Sequence, residues 1–217
     1  MCGRFTLSEP KLISKRFGVI NKLPFFEPTY NAAPSQSIPV VVKRSPNTAV
    51  LMKWGFLPEW GKEKGISLIN IRSESTKEKP YFKGVLKKRR CIIPSNGFYE
   101  WRVVGNEKVP YYIFLKERSI FGFAGLYSSL VDSEGKKHES FAIITCLPNT
   151  FLKRIHNRMP VILKEKDENA WLQKETSDIE LLYSFMKSYP HKEMKAHSVS
   201  RMVNDTENDS KSLTKPV

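Results

Sequence analysis

The chain has 217 residues and a formal net charge of +14, from 36 Lys and Arg against 22 Asp and Glu. A chain of this length buries a full core as one domain or at most two, without needing disulfides or a metal. Its three cysteines are an odd and sparse set with no C-x-x-C pair, which argues against a disulfide framework and against a zinc knuckle. It contains neither a bilayer-spanning apolar run nor a secretory signal, so we expect an intracellular, cytoplasmic protein.

The positive charge favours a polyanionic partner. Lys and Arg side chains that neutralise phosphates release counterions, which makes nucleic acid the leading candidate. A generally basic soluble protein is the alternative. A membrane surface is less favoured, because no segment predicts a helix with a long apolar face opposite a Lys- and Arg-rich one.

The N-terminal sequence Met1-Cys2-Gly3-Arg4-Phe5 carries unusual chemistry. Removal of Met1 is expected before a residue as small as cysteine, and it leaves an α-amine and a thiol on adjacent carbons. Their reference pKa values, about 7.7–8.0 and about 8.5, leave part of each group nucleophilic at neutral pH. An aldehyde would form an imine with the amine, and the thiol would close it to a thiazolidine. The alternative is an incidental cysteine near the N-terminus.

The first quarter of the chain predicts one helix and one hairpin. Residues 8–18 begin with a Ser-Glu-Pro start signal, continue with apolar residues on one face and end at a glycine. Four prolines predict an extended loop over residues 24–39. The β-branched runs Ile38–Lys43 and Thr48–Trp54 flank the turn signal Ser45-Pro46-Asn47 and predict a hairpin.

The next segment contributes aromatic and polar candidates for a binding site. Residues 54–61 form a loop whose aromatic side chains, Trp60 among them, either fill the core or stack on unpaired bases. Residues 66–71 predict a short strand. If the strand continues, Asn70, Arg72 and Glu74 lie on one face, although capping and surface ion pairing are ordinary alternatives for such residues.

The middle of the chain predicts antiparallel sheet. The basic run 87–90, which includes Arg90, is either a solvated face or a phosphate contact. Glu100 lies between Tyr99 and Trp101, and apolar surroundings would raise its pKa and suit it to proton transfer. Strand alternation equally permits Glu100 to face solvent.

The C-terminal third supplies a histidine, two helices and a polar end. His156, two residues before Arg158, is either a surface residue or a proton shuttle. Residues 167–173 and 178–187 predict a pair of packing helices. The chain ends in the polar stretch 204–217, whose composition predicts that its final residues form a frayed tail.

Seven short motifs stand in an order and spacing that resembles the SRAP family, the SOS-response-associated peptidase domain. The resemblance extends from residue 2 to about residue 205 and leaves residues 206–217 as a polar C-terminal tail. It implies a single α+β domain with a barrel-like antiparallel sheet and flanking helices. The motifs are Met1-Cys2-Gly3-Arg4-Phe5, Tyr30-Asn31-Ala32-Ala33-Pro34, Trp54-Gly55-Phe56, Ile69-Asn70-Ile71-Arg72-Ser73-Glu74, Arg90-Cys91-Ile92-Ile93-Pro94, Gly97-Phe98-Tyr99-Glu100-Trp101 and His156-Asn157-Arg158-Met159-Pro160.

The resemblance also implies an activity, in which the protein binds single-stranded DNA containing an abasic site and crosslinks to the ring-opened sugar aldehyde. Matched by motif, Cys2 is the nucleophile and Asn70 positions the terminus and the sugar. Glu100 handles protons during imine formation, and His156 serves ring closure and later reversal.

The resemblance implies DNA contacts as well. Arg4, Arg72 and Arg158 match positions that contact phosphates, and Trp60 and Arg90 are further candidates. A relative carries a second tryptophan where this chain has Gly61, so base stacking there is expected to be weaker. No cofactor and no metal are expected, and the protein is expected to act as a monomer.

Two other functions remain open at this point. One is a cysteine peptidase with Cys2 as nucleophile and His156 or Glu100 as base, which removes its own Met1 or cuts other chains. The other is a non-enzymatic nucleic-acid reader in which Cys2 is incidental. The peptidase hypothesis explains neither the net charge nor the arginines.

Overall fold

The structure is a computed structural model that describes residues 2–23, 25–44, 47–61, 63–173 and 178–217. Within them the strands are β1 (Arg4–Leu7), β2 (Thr29–Ala32), β3 (Ser37–Lys43), β4 (Asn47–Trp54), β5 (Asn70–Arg72), β6 (Arg90–Ser95), β7 (Gly97–Val104), β8 (Glu107–Leu115), β9 (Phe121–Val131), β10 (Lys137–Cys146), β11 (Met159–Pro160) and β12 (Met194–Ser198). The α-helices are α1 (Leu12–Phe17), α2 (Ser73–Glu78), α3 (Pro80–Lys88), α4 (Glu165–Leu172) and α5 (Ile179–Phe185).

Five strands close into a barrel. Antiparallel pairing runs from β4 through β3, β6 and β9 to β10. Parallel pairing of β10 with β4, where Ser140 lies opposite Lys53 and Phe141 opposite Trp54, completes the ring. Closure removes the free edges that an open sheet of this size would present.

A second, antiparallel sheet of order β12-β8-β7-β1-β2 packs on the barrel. The fully buried Phe5 of β1 joins the two, with its ring centroid 5.0 Å from that of Trp54 and 5.9 Å from that of Phe123. The ring of Phe141 stacks on that of Trp54, with centroids 6.2 Å apart. The N-terminal strand is therefore held by core packing, which fixes the residues just before it. The α+β class with a barrel-like sheet is confirmed.

Most of the predicted elements are present. The helix near residues 8–18 appears as α1, the hairpin as β3 and β4 with Val40 opposite Val50, and the C-terminal helices as α4 and α5. Ser45 and Pro46 of the predicted turn lie outside the described residues. No helix in the described parts of the chain is both long and apolar enough to cross a membrane.

The predicted strand before Glu74 is shorter than expected. It begins at Asn70 and ends at Arg72, and Ser73 starts α2, so Glu74 lies on a helix rather than on the face shared by Asn70 and Arg72. A glutamate in a first helical turn is favoured by the helix dipole. The following α3, which was not predicted, begins with Pro80 and buries an apolar stripe of Phe82, Val85 and Leu86.

The prediction of a frayed C-terminal tail was wrong. Leu213 is buried with Tyr99 and Tyr112, and Pro216 forms a β-bridge with Val199. The buried side chain of Asn31 also donates to the carbonyl oxygens of residues 205 and 208, at 3.0 and 2.8 Å. Composition alone suggested disorder, but the backbone of this segment finds hydrogen-bond partners on the second sheet. Residues 199–217, called the C-terminal strap below, are part of the domain.

Arg90 belongs to the fold, which corrects its interpretation as a DNA contact. Its buried guanidinium donates to the carbonyl oxygens of Leu86 and Trp171, both at 2.6 Å, of Lys87 at 2.8 Å, and of Gln173. These carbonyls lie at the C-terminal ends of α3 and α4, where helical carbonyls lack intrahelical partners. Arg90 therefore joins two helix ends.

We expect Arg90→Ala to lower the free energy of unfolding by about 3 kcal/mol, because several buried carbonyls lose a charged donor at once. Urea denaturation followed by circular dichroism measures the change. Lys88→Ala, an exposed neighbour on α3, is the control and is expected to stay within about 0.5 kcal/mol of the parent. Equal stability of the two variants would contradict the structural role of Arg90.

Candidate active site

Cys2 lies at the junction of the two sheets, immediately before β1, and is completely buried. Asn70, the first residue of β5, holds it by donating from Nδ2 to the Cys2 carbonyl oxygen at 2.9 Å. The parallel pairing of β5 with β10, where Asn70 lies opposite Ile143, positions Asn70 itself. The Oδ1 atom of Asn70 is buried and has no hydrogen-bond partner among the described residues, so it can accept from an amine or a hydroxyl group.

Glu100 is buried beside the N-terminus. The β1–β7 register places Arg4 opposite Tyr99, so the residues just before Arg4 run beside Glu100. Its side chain is 2% exposed, which rules out the solvent-facing alternative. The first four residues of β7 are buried on both faces, so alternation does not apply there. Burial raises the pKa of Glu100 to about 7. It can therefore both give and take a proton near neutral pH.

His156 faces Glu100 from a turn that precedes β11. Its Nε2 atom lies 3.9 Å from Glu100 Oε2. The backbone N–H of Arg158 donates to His156 Nδ1 at 3.1 Å, and a backbone N–H is always a donor. The Nδ1 atom also lies 3.3 Å from the Arg158 carbonyl oxygen, but the shorter contact requires Nδ1 to accept. Neutral His156 then carries its proton on Nε2, toward Glu100.

Burial lowers the pKa of His156 below its ordinary value, so the imidazole is neutral at physiological pH. Burial, and then the charge of Glu100, raises the pKa of the Cys2 thiol well above its ordinary value. The thiol donates a long hydrogen bond to the Arg4 carbonyl oxygen, with Sγ and O 3.9 Å apart. The thiol is therefore protonated in this structure and needs a base. We refer to Cys2, Asn70, Glu100 and His156 as the N-terminal site.

The predicted DNA-contacting arginines are in different environments. Arg72 is exposed and lies two residues after Asn70 on β5, which places both side chains on one side of the strand. Arg158 is buried, and its guanidinium binds both carboxylate oxygens of Glu74, at 2.7 and 2.8 Å, and the Thr145 carbonyl oxygen at 2.6 Å. The structure thus brings Arg72 alone of these two to the surface.

Arg4 donates hydrogen bonds to other parts of the protein. Its guanidinium donates to Asn31 Oδ1 at 2.8 Å and to the carbonyl oxygens of Val203 and Asn204 at 2.6 and 3.0 Å. A phosphate contact, which stays a prediction for Arg4, would compete with these bonds. In this structure Arg4 fastens β1 to the C-terminal strap two residues from Cys2. Asn31, which belongs to a quoted motif but had no assigned role, is the shared partner.

Trp60 is half exposed and packs edge-on against Tyr81, with ring centroids 6.2 Å apart. The next residue, Gly61, is buried, and a Cβ atom there would lie 2.8 Å from Pro58 Cγ and 3.0 Å from Ile66 Cβ. The loop is too closely packed at this point for a second aromatic side chain without rearrangement. One aromatic face is therefore presented to solvent at this position. Among the described residues no group of three or more His, Cys, Asp or Glu side chains could hold a metal.

A family model described as SOS response associated peptidase (SRAP) matches residues 1–206. The chain belongs to the SRAP family. The Bacillus subtilis protein YoqW, named an abasic site processing protein, is 40% identical over 220 residues that cover 98% of each chain. Another protein of that name, HMCES of Rattus norvegicus, is 29% identical over 231 residues, which cover 87% of this chain and 65% of that protein.

Solved structures share the fold of this SRAP protein. A protein from Bacteroides thetaiotaomicron superposes with a TM-score of 0.88 at 26% identity, and the match covers 100% of both chains. A protein from Bordetella bronchiseptica superposes with a TM-score of 0.76 at 22% identity over 92% of this chain, which shows the fold alone. The family resemblance of the seven motifs is confirmed.

Proposed function

We propose that this SRAP protein binds single-stranded DNA containing an abasic site and joins itself to the lesion through Cys2. The observation that carries the proposal is the placement of Cys2 by Asn70, at 2.9 Å, beside the paired Glu100 and His156 side chains, 3.9 Å apart. Relatives of this chain are named abasic site processing proteins, which supports abasic DNA as the substrate.

The chemistry follows from the N-terminal aminothiol. Loss of Met1 frees the α-amine of Cys2, which adds to the aldehyde carbon of the ring-opened sugar. The carbinolamine loses water to give an imine. The thiol then adds to the imine carbon, its proton passes to the imine nitrogen, and a thiazolidine ring forms. No oxidant or reductant is consumed. The ring removes the imine that would otherwise promote strand cleavage by β-elimination.

Glu100 and His156 suit the proton transfers of these steps. A carboxyl group with a pKa of about 7 gives its proton to the departing hydroxyl and takes one from the thiol at the same pH. Neutral His156, with its proton on Nε2, faces the carboxylate and is placed to exchange a proton with it. Asn70 orients the backbone of Cys2, so that amine and thiol approach the same carbon.

The peptidase alternative has less support from the geometry. In a peptidase the thiol attacks first, as a thiolate, and a lowered thiol pKa favours that form. Here burial raises the thiol pKa, and the Nε2 atom of His156 is directed to Glu100. The environment of Cys2 therefore favours a reaction that begins at the amine, with the thiol as the second nucleophile.

The experiment is incubation of the purified protein with single-stranded DNA that carries one abasic site, followed by a denaturing gel. We expect a covalent band that survives without reductant. The matched control is the same oligonucleotide with an intact base, which should bind and give no band. Binding to both DNAs without a covalent band would contradict the proposal and favour a non-enzymatic reader.

Exposed basic side chains supply the proposed DNA surface. Arg72 borders the N-terminal site on β5, and Lys153 and Arg154 are exposed just before His156 in the chain. Phosphate neutralisation by such side chains releases counterions, so affinity should fall steeply with salt. Four phosphate contacts, these three and the one predicted for Arg4, would give a log–log slope of roughly −3, at about −0.7 per contact.

We expect Arg72→Gln to weaken binding of single-stranded DNA and to reduce the magnitude of the salt slope by about 0.7, the value of one phosphate contact. Fluorescence anisotropy over a salt series measures both quantities. Arg44→Gln is the control. Arg44 follows β3 at the turn end of the β3–β4 hairpin, and Trp54 lies at the other end, where its indole N–H donates to the carbonyl oxygen of Ile69, next to Asn70. Arg44 is therefore about 20 Å from the N-terminal site along the strands. Equal slopes for the two variants would remove Arg72 from the DNA surface.

A further inference from the structure

The ion pair between Glu74 and Arg158 has no role in the function proposed above, although both residues belong to the seven motifs that resemble the SRAP family. The pair is bidentate, with Arg158 Nη1 and Nη2 at 2.7 and 2.8 Å from the two carboxylate oxygens of Glu74. Paired parallel hydrogen bonds of this kind are strong and fix the orientation of both groups. The Arg158 side chain is 10% exposed and that of Glu74 is 42% exposed. The pair therefore closes over Arg158 from the solvent side.

Arg158 is tied to two elements at once. Its Nη2 atom donates to the carbonyl oxygen of Thr145 on β10 at 2.6 Å, and Glu74 on α2 accepts from Nη1 and from the same Nη2 atom. The next residue, Met159, pairs with Cys146 on β10. The backbone of residue 158 is thus held by its own side chain and by the following strand, and its N–H is fixed in direction.

That backbone N–H is the group that donates to His156 Nδ1, at 3.1 Å. A ring nitrogen that accepts from a fixed donor leaves the proton of the neutral imidazole on the other nitrogen. The chain of contacts runs from Glu74 to the Arg158 guanidinium, along the Arg158 backbone to His156 Nδ1, and through the ring to Nε2. Nε2 is the atom that faces Glu100.

We propose that Glu74 is a positioning residue for His156, which it holds through Arg158 with the ring proton on Nε2 and directed toward Glu100. The inference rests on the proposed function for its consequence, which is faster crosslinking. The effect of Glu74 on the position of the His156 ring proton concerns the free protein alone. It also gives Arg158 a task inside the protein.

Glu74 remains ionised at the pH values at which Glu100 exchanges protons. The hydrogen bond from Arg158 lowers the pKa of Glu74 to about 2. A group with a lowered pKa keeps its pair at every pH above that value and loses it only in acid. The proton exchange of Glu100, near pH 7, therefore takes place with the positioning pair intact.

The test is Glu74→Gln, which keeps the shape of the side chain but removes its charge and one of its two acceptors. Glu78→Gln, an exposed residue one turn later on α2, is the matched control. In the free protein, ¹⁵N NMR of the His156 ring reports which nitrogen carries the proton. We expect one Nε2–H tautomer in the parent and in Glu78→Gln, and a mixture in Glu74→Gln.

The crosslinking rate to abasic single-stranded DNA is the second measurement. We expect Glu74→Gln to be about tenfold slower, the factor that corresponds to about 1.4 kcal/mol, with the DNA affinity and salt slope unchanged. Glu74→Asp keeps the charge and is measured in the same way should the glutamine variant fail to fold. It is expected to be slower than the parent, because its shorter side chain cannot make both bonds.

Two outcomes would overturn the proposal. One is an unchanged His156 tautomer in the variants. The other is a salt slope for Glu74→Gln that steepens by about 0.7, which would mean that Glu74 had restrained Arg158 from a phosphate. If the parent protein forms no crosslink, the proposed function fails, but the NMR experiment still decides whether Glu74 positions His156.

Discussion

A protein whose Cys2 nitrogen is kept in a peptide bond should give no stable crosslink with abasic DNA. An N-terminal extension that prevents exposure of Cys2 leaves the thiol in place but removes the amine that forms the imine. Because ring closure requires the imine first, the covalent band should be lost completely, while non-covalent binding to the same DNA should persist. Mass spectrometry verifies that the N-terminus is blocked, a denaturing gel measures the covalent band, and fluorescence anisotropy measures the non-covalent binding.

Substitution of Cys2 separates the two nucleophiles. Cys2→Ala with Met1 removed keeps the α-amine, so it should give a band only after borohydride has reduced the imine. Cys2→Ser should behave in the same way, because a hydroxyl group closes the ring less readily than sulfur. The extended protein should give no reductant-trapped product at residue 2. Crosslinking by the extended protein at the normal rate would refute the aminothiol mechanism.

Glu100→Gln should slow crosslinking by about a hundredfold, within the range that general acid–base groups contribute. The substitution keeps the shape of a side chain that is 2% exposed and removes its titration. The parent rate should change with pH near 7, the raised pKa of Glu100, and this inflection should be absent in the variant. Affinity for single-stranded DNA should stay the same. A variant with the parent rate and pH profile would exclude Glu100 from the proton transfers.

The same variant should be more stable than the parent above pH 7. Burial raises the pKa of Glu100 from 4.5 to about 7, so the folded state binds the proton more tightly than the unfolded state. The resulting stabilisation is present in full below pH 4.5 and is lost as the pH rises through about 7. Glutamine does not titrate. We expect the stability gain of the variant to be larger at pH 8 than at pH 5 by up to about 3 kcal/mol, measured by urea denaturation. A gain that does not change with pH would show that Glu100 titrates at its ordinary pKa.

Much of the fold could be predicted from local patterns. The β3–β4 hairpin, α1 and the two C-terminal helices follow from residue periodicity and turn signals, which depend on neighbours in the sequence. The helices at residues 73–88 were not predicted, because charged residues outnumber the apolar stripe of α3. The tail prediction failed for a related reason. Composition describes the cost of ordering a segment, but not the partners that a distant sheet offers it.

The candidate site shows the same division. The amine and thiol of a cysteine at the N-terminus are joined by covalent bonds, so their chemistry can be stated from the sequence alone, as can the net charge that favours a nucleic acid. The motif order predicted the family, which the comparisons confirm. The orientation of Glu100 could not be predicted, because β7 is buried on both faces at that point and strand alternation therefore does not distinguish inside from outside.

Tertiary structure determined whether each arginine is buried or exposed. Arg72, Arg90 and Arg158 all lie in motifs with basic or polar surroundings, and nothing in those motifs distinguishes a surface cation from a buried one. The acceptors that bury Arg90 are carbonyls at two helix ends more than 80 residues apart, and Arg158 is held by a carboxylate 84 residues away. A guanidinium binds whichever acceptors the fold brings within hydrogen-bond distance, and only long-range packing determines whether these belong to the protein or to a ligand.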